Sequence, residues 1–547
     1  MRRKPMSKLV TVSEMRQIEA EANASGWTYD QMMVRAGTGV AQLVHSLYGY
    51  EEDLQAVALI GSGNNGGDAL VALEWLASVG WKIRAYLVRP RAESDPLIAR
   101  VLERGGEMAT AWEDVQFSRL DAWLKHATVL IDGVLGTGIR LPLQEEVARV
   151  LAHVKDFEHR PPCIAVDCPS GVDCDSGEAA PECIPAEVTA CMAGVKIGLL
   201  KTPAFSLVGE IQVIDIGLPA GLSSWEQVQR EVIDEEWVSN HLPDRPVEGH
   251  KGTFGTATIC GGCLNYSGAP LLAAEGAARS GVGLVQVAVP VTVHTMIAGS
   301  NWNVTWLPLP EEQGFIATEA AAVLLKSLQR ATALLIGPGL GLETSTQKFL
   351  QRLLEAREKD LEERPVGFLF NHETSSRKPT TTALPALVID ADGLKLLAQI
   401  ENWQKLLPPH SVLTPHPGEM AILTGLSTSQ IQANRIETVL KFAREWNQVI
   451  VLKGAFTVIA APDGRLGYIP IATNALAHGG TGDVLAGMIT ALRAQGMDSF
   501  EAACAGAWVH AQAGLIAAQE VGHPASVQAT DVCKAIPDVL AWVWKEK

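Results

Sequence analysis

The sequence predicts an α/β protein of two domains, and three observations carry that expectation. Short apolar runs alternate with helical patterns along most of the chain. The runs end on acids or on glycine-rich loops, as strands of a parallel sheet do where they carry function. Two of these loops, Gly61-Ser62-Gly63-Asn64-Asn65-Gly66-Gly67-Asp68 and Gly479-Gly480-Thr481-Gly482-Asp483, lie more than four hundred residues apart. Each opens an apolar helix and offers backbone N–H groups to a phosphate. Their distance and different wording predict two sites in two domains.

A chain of 547 residues is long enough for several domains. With 47% hydrophobic and 19% charged residues it has the balance of an enzyme with buried parallel strands. No uninterrupted apolar run of about 18 residues occurs, so no membrane span is expected. The start, Met1-Arg2-Arg3-Lys4-Pro5, is basic but no apolar signal region follows it, which predicts a cytoplasmic protein. A net charge of −17 argues against nucleic-acid binding, which needs a basic footprint. It leaves room for an anionic ligand held by local loops. Of the nine cysteines, Cys163, Cys168, Cys174, Cys183 and Cys191 match no zinc spacing, and Cys260 and Cys263 form a lone C-x-x-C. They read as small buried residues of a reducing compartment.

Residues 9–50 read as helices, with Met32, Met33, Val34, Val40, Leu43 and Val44 at helical spacing. Ala56–Ile60 is a strand, Asp68–Val79 a helix and Ile83–Val88 a strand. Val129–Ile131 and Ile164–Val166 are strands that end on Asp132 and Asp167, and Ile211–Ile216 closes this half. Residues 217–245 read as a connector, with the domain boundary near 225–240. In the second half the strands are Thr256–Cys260, Ala333–Ile336, Ala386–Ile389, Val412–Thr414 and Gln448–Leu452. Residues 355–385, charged and then Ser/Thr/Pro-rich, break this rhythm and read as a helix extension with a mobile insertion.

In the first half, Gly66 and Gly67 permit close backbone approach, and Asn64 and Asn65 supply amide donors and acceptors. Asp68 is placed to cap the following helix. Asp132 precedes Gly133-Val134-Leu135-Gly136-Thr137-Gly138, and Asp167 lies in Val166-Asp167-Cys168-Pro169-Ser170-Gly171. In a parallel sheet these loops share one edge. Oxygens of Asn65, Asp132 and Ser170 would there enclose a hard cation without histidine or cysteine. Taken singly, Asp132 and Asp167 are equally well read as caps or turn formers.

These strings, with Ser13–Arg16, Met33–Gly37, Asp132–Pro142 and Lys196–Leu199, resemble the epimerase domain of the NAD(P)H-hydrate repair enzymes. The resemblance implies a Rossmann-like three-layer domain that interconverts the R and S epimers of hydrated NADH and NADPH. It implies K+ ligands at Asn65, Asp132 and Ser170. Implied substrate contacts are Asn64, Asn65, Gly66, Gly67, Asp68, Gly136, Thr137, Gly138, Ile139, Arg140, Leu141, Pro142 and Asp167. Asp167 is the expected catalytic acid/base. Lys196 either stabilises charge nearby or forms a structural ion pair.

The second half has no Walker loop. Gly479–Asp483 instead offers helix N-terminal amides as an anion hole, with Asp483 placed to take a proton from an attacking hydroxyl. The alternative is a plain turn with an aspartate cap. Lys251–Gly255, Tyr266–Pro270, Gly337–Gly341, His416–Glu419, Lys453–Thr457 and Gly479–Asp483 resemble the dehydratase domain of the same repair system. That implies a ribokinase-like α/β fold, with Lys453, Gly454, Ala455, Phe456, Thr457 and Gly482 on the adenine nucleotide. Ala269, Gly339, His416 and Asp483 would contact the hydrate, with Asp483 catalytic. ADP is the expected phosphoryl donor, with ATP the alternative, and Mg2+ comes with the nucleotide phosphates. His478 departs from the family pattern beside the nucleotide loop, and the insertion is long for the family.

The resemblance therefore divides the chain into an epimerase domain at 1–228 and a dehydratase domain at 229–547. Partners are the NADH and NADPH hydrates and an adenine nucleotide, with no nucleic acid and no membrane. A homo-oligomer is expected. The rival readings are a ribokinase-like vitamin or sugar kinase fused to a nucleotide-binding domain, and a nucleotide sensor with degenerate sites.

Overall fold

The computed structural model describes residues 8–92, 94–356 and 384–544. It comprises a unit ending at Val232 and a unit beginning at Ile233. Short helices at Ser223–Gln227 and Glu235–His241 occupy the stretch read as a connector. Nearly all of the expected insertion at 355–385 lies outside the described residues.

The first unit is built on β1 (Gln55–Ile60), β2 (Lys82–Leu87), β3 (Glu107–Thr110), β4 (Val129–Gly133), β5 (Cys163–Val166), β6 (Val188–Met192) and β7 (Glu210–Ile214). They form a parallel sheet in the order β3-β2-β1-β4-β5-β6-β7. Successive strand residues point to opposite faces. Ala56, Ala58 and Ile60 accordingly join one apolar cluster, and Val57 and Leu59 join another. A sheet buried on both faces is the middle of three layers, as expected. The strand order reverses between β1 and β4, which opens a crevice at their C-terminal ends.

Helix α1 (Val12–Ala24) starts from a reciprocal cap between Thr11 and Glu14, and α2 (Tyr29–Tyr48) from one between Thr28 and Gln31. Met15, Ile18 and Ala22 form the buried face of α1. Helix α3 (Asn64–Ser78) begins four residues earlier than expected, because Gly63 is its N-cap without a side-chain cap. Asp68 therefore lies a full turn inside the helix and caps nothing. Gly61 is required where it stands, since a Cβ there would meet Val134 O at 1.9 Å.

The second unit carries β8 (Thr256–Cys260), β9 (Leu284–Pro290), β10 (Thr305–Leu309), β11 (Ala333–Ile336), β12 (Ala386–Ile389), β13 (Val412–Leu413), β14 (Val449–Leu452), β15 (Val458–Ala460) and β16 (Leu466–Tyr468). Their order is β16-β15-β14-β13-β12-β11-β8-β9-β10, and only the β14–β15 and β15–β16 pairs run antiparallel. The register aligns Cys260 with Ile336, Ile336 with Ile389 and Ile389 with Leu413. The residues that follow, Gly261, Gly337, Asp390 and Thr414, thus lie along one sheet edge.

Helix α4 (Ala269–Arg279) packs tightly on α6 (Thr481–Ala494), with α5 (Pro417–Thr424) between them in sequence. A Cβ on Gly487 would fall 1.9 Å from Ala273 O, and one on Gly276 would fall 2.6 Å from Val484 O. Helix α7 (Ser499–Val521) is buried along most of its length. Among the described residues no helix is long and apolar enough to cross a membrane.

Candidate active sites

In the first unit, the β1, β4 and β5 loops meet at the crevice. The Asp132 carboxylate is 0% exposed. Its Oδ1 accepts from Ser170 Oγ at 2.6 Å and Val134 N at 3.3 Å, and its Oδ2 accepts from Ser170 N at 2.8 Å. Burial raises its pKa, and these hydrogen bonds oppose the rise. Ser170 Oγ accepts from Leu135 N at 2.8 Å. The Asn65 amide donates to Leu135 O at 3.2 Å and Val166 O at 2.5 Å. Leu135 thus links Asn65 to the Asp132–Ser170 pair, and all three expected ligands share one oxygen-rich spot. Among the described residues no cluster of three His, Cys, Asp or Glu side chains forms a metal site.

Asp167 follows β5 in the left-handed region, with φ +65°. Such a conformation is uncommon for a residue other than glycine. Its Oδ1 accepts from Met192 N at 2.9 Å and from Lys196 Nζ. Lys196 is 1% exposed and donates also to Met192 O at 3.0 Å. Burial works against the ammonium charge, yet the Asp167 carboxylate holds its pKa above the ordinary lysine value. Asp68 is buried nearby, and burial, then the charges of Asp167 and Glu19, push its carboxyl well above the usual range. Glu19, on α1, was not anticipated. It is half-buried and raised by burial, with Lys196 and Asp167 as its charged neighbours. Its signal was the buried face of α1, where it adjoins Ile18 and Ala22. The Gly136–Pro142 loop runs half-buried to exposed and starts against Asn65, whose Oδ1 would lie 2.4 Å from a Cβ on Gly136.

In the second unit, Gly480 is the N-cap of α6 at φ +94°, and Asp483 lies in the first turn. Thr481 Oγ1 ties the loop down by donating to Leu476 O at 2.9 Å and His478 O at 3.0 Å. Burial first, and the Asp390 carboxylate next, push the Asp483 carboxyl up to about 7, against the pull of Lys453. His416 caps α5: its Nδ1 accepts from Gly418 N at 3.0 Å and Glu419 N at 3.3 Å, while Glu419 Oε2 accepts from His416 N at 2.8 Å. Those bonds leave the ring proton on Nε2, 3.4 Å from Glu419 Oε1. Burial, then the Lys453 and Lys395 cations, lower the pKa of the ring.

A cavity of 380 Å³ is lined by His416, Lys453, Gly454, Ala455, Thr457 and Gly482, with Ile469, Ile471, Leu476 and Leu485 as its apolar wall. Phe456 is not in that lining; its ring stacks on Tyr468. Outside that lining, a Cβ on Gly339 would lie 3.1 Å from Ala269 Cβ, so these two expected contacts adjoin each other.

Both halves have relatives. A family model described as NAD(P)H-hydrate dehydratase matches residues 257–538, and one described as YjeF-related protein N-terminus matches residues 29–198. The bifunctional NAD(P)H-hydrate repair enzyme Nnr of Moorella thermoacetica is 34% identical over 541 residues, covering 97% of this chain and 96% of that one. The chain belongs to the bifunctional NAD(P)H-hydrate repair enzymes. The Escherichia coli enzyme of the same name is 30% identical, with 99% of this chain and 96% of that one covered. The crystal structure of the ADP/ATP-dependent NAD(P)H-hydrate dehydratase of Bacillus subtilis, co-crystallised with ATP/Mg2+, aligns with a TM-score of 0.46 at 30% identity. It covers 57% of this chain and 97% of that one.

Two residues of this repair enzyme stand apart from the sequence expectations. His478, which departs from the family pattern beside the nucleotide loop, lines a separate cavity of 360 Å³ with Gly479 and Gln528. His510, which no motif marked, lines the Lys453 cavity from α7. Burial lowers its pKa to about 4, and its Nε2 has no hydrogen-bond partner among the described residues.

Proposed function

We propose that the first unit interconverts the R and S epimers of hydrated NADH and NADPH, and that the second unit dehydrates the S epimer with ADP as phosphoryl donor. The observation that carries the dehydratase reading is Asp483, a carboxyl with a pKa near 7 in the first turn of α6, beside the cavity that Lys453 and Gly482 line. A base of that strength is half-ionised at neutral pH and still accepts a proton readily.

Hydroxide is a poor leaving group. Asp483 takes the proton of the C6 hydroxyl as its oxygen attacks the terminal phosphorus, and the bridging P–O bond breaks toward the departing nucleotide. The ring nitrogen then expels phosphate from C6, and loss of a C5 proton restores the dihydronicotinamide. Backbone N–H groups of Gly479–Asp483 hold the phosphoryl oxygens. Lys453, Gly454, Ala455, Thr457 and Gly482 serve the nucleotide, with Phe456 supporting their loop through Tyr468, and Ala269, Gly339 and His416 serve the hydrate. Mg2+, brought by the nucleotide, would neutralise the charge of its phosphates.

In the first unit, Asp167 is the acid/base at C6, and Asn64–Asp68 with Gly136–Pro142 hold the hydrate. The spot shared by Asn65, Asp132 and Ser170 suits K+ through the Asp132 carboxylate and the Ser170 hydroxyl, with Asn65 Oδ1 facing Gly136 beside them. K+ there would supply a fixed positive charge near the substrate. We assign the enzyme to the cytoplasm and expect a homo-oligomer.

The test supplies mixed R and S NADH hydrate with Mg2+ and K+, comparing ADP with ATP, and follows dihydronicotinamide absorbance. Full recovery of both epimers with ADP is expected. Conversion of the S form alone would remove the epimerase assignment. A stable phosphorylated product would instead identify a small-molecule kinase.

A further inference from the structure

We propose that Asp390 is a positioning residue for phosphoryl transfer, holding the Lys453 ammonium beside Gly482 so that it meets the transferring group. This inference rests on the dehydratase reading of that site.

Asp390 follows β12, Thr414 follows β13 and Lys453 follows β14, three neighbouring parallel strands. Their side chains converge for that reason. Asp390 is 1% exposed, and its Oδ1 accepts from Thr414 Oγ1 at 2.7 Å and Lys453 Nζ at 2.6 Å. The Lys453 backbone is fixed in turn, its N–H donating to Pro415 O at 2.9 Å. An ammonium has three donors. Among the described residues Asp390 Oδ1 is the only acceptor that Lys453 Nζ reaches, and Glu419 Oε2 stands off at 3.8 Å. Asp392 is engaged elsewhere, by Lys395 at 2.9 Å and Gly341 N at 3.1 Å. Lys453 lines the cavity together with Gly482, whose Cβ, if present, would lie 3.4 Å from Nζ. The tether is one-sided, since Asp390 Oδ2 is buried without a partner.

The placement suits the chemistry. As the C6 oxygen bonds to phosphorus and the bridging bond breaks toward the nucleotide, charge spreads over the equatorial phosphoryl oxygens. A fixed cation beside the α6 amides stabilises that charge without rearranging. Untethered, Lys453 would be drawn toward Glu419 or Asp483. Asp483 is faced by the negative groups Asp390, Asp392 and Glu419 and by the positive Lys453. Asp390 therefore acts twice, on where Lys453 sits and on how basic Asp483 is.

Asp390→Asn keeps an acceptor for Thr414 and removes the charge. A misplaced group costs on the order of 100-fold in rate. We expect kcat for dehydration to fall by roughly that factor, with KM for ADP within about threefold. The acid limb of the kcat profile should move to lower pH, because the negative charge that raises Asp483 most is gone. Epimerisation by the same chain should be unchanged. Thr414→Val keeps both charges and loosens the tether; kcat should fall several-fold with the acid limb unmoved. A folded Asp390→Asn enzyme with wild-type kcat and limb overturns the proposal. So does a loss that only follows the folded fraction while the limb stays in place. If Asp390→Asn does not fold, an unchanged kcat in Thr414→Val overturns it. Failure of the wild type to restore NADH with either nucleotide would overturn the dehydratase reading instead.

Discussion

Lys196 donates a hydrogen bond to Asp167 across 29 residues of chain, and both side chains are buried. Removing one partner of a buried ion pair leaves the other charge uncompensated, at about 3–5 kcal/mol. Lys196→Met should lower stability by that order in denaturant titrations and abolish epimerisation. The lysine pKa is raised in the folded chain. Its stabilisation is therefore complete below the ordinary value of 10.5 and is lost only as pH rises through the higher folded value.

Asp483→Asn preserves shape and removes the proposed base. General-base catalysis contributes about 100- to 10,000-fold. Dehydration should fall by that factor, and R hydrate supplied to the variant should equilibrate with S hydrate without restoring NADH. Chiral separation of the two hydrates with time measures both steps.

With the Asp483 carboxyl at about 7, dehydration should rise with pH and level off above that value. Stability should run the other way. A carboxyl raised from 3.8 in the unfolded chain stays protonated longer when folded, so its contribution falls as pH climbs from 3.8 through about 7. Rate profiles and denaturation midpoints across that window test the two signs.

Epimerisation should depend on K+, and dehydration should not. Replacing K+ by a bulky organic cation, or Asp132 by Asn, should slow only the exchange of R and S hydrate. Equal losses in both reactions would remove K+ from the Asn65–Ser170 spot.

Gly487→Ala places a methyl 1.9 Å from Ala273 O. Overpacking of this kind costs about 1–3 kcal/mol, and here the obstacle is backbone. Thermal denaturation of the variant should show a lowered midpoint, with dehydration more affected than epimerisation.

Much of this architecture was legible in the sequence because strands buried on both faces are apolar throughout. Ala333–Ile336 and Ala386–Ile389 were read with the bounds the structure gives. Strand Glu107–Thr110 was not, being short and partly polar, and Val188–Met192 was missed between two glycine- and proline-rich loops. The start of α3 was misplaced because Asp68 has the composition of a cap while Gly63 has the position of one. Tertiary pairs lay beyond reach: nothing near Asp390 in sequence announces Lys453, 63 residues away, or Thr414 between them. Glu19 and His510 were missed likewise, as single polar residues on otherwise apolar helix faces.

The glycine-mediated contact between α4 and α6 has a mechanical consequence. Ala269 begins one helix and Thr481-Gly482-Asp483 begins the other, and backbone meets backbone between them. The proposed hydrate contact and the proposed proton acceptor thus ride on a single stiff wedge, too tightly seated for one helix to slide along the other. Any movement that admits nucleotide and releases phosphate must leave this wedge intact, so the spacing between Ala269 and Asp483 is set once by the fold and not by the catalytic cycle.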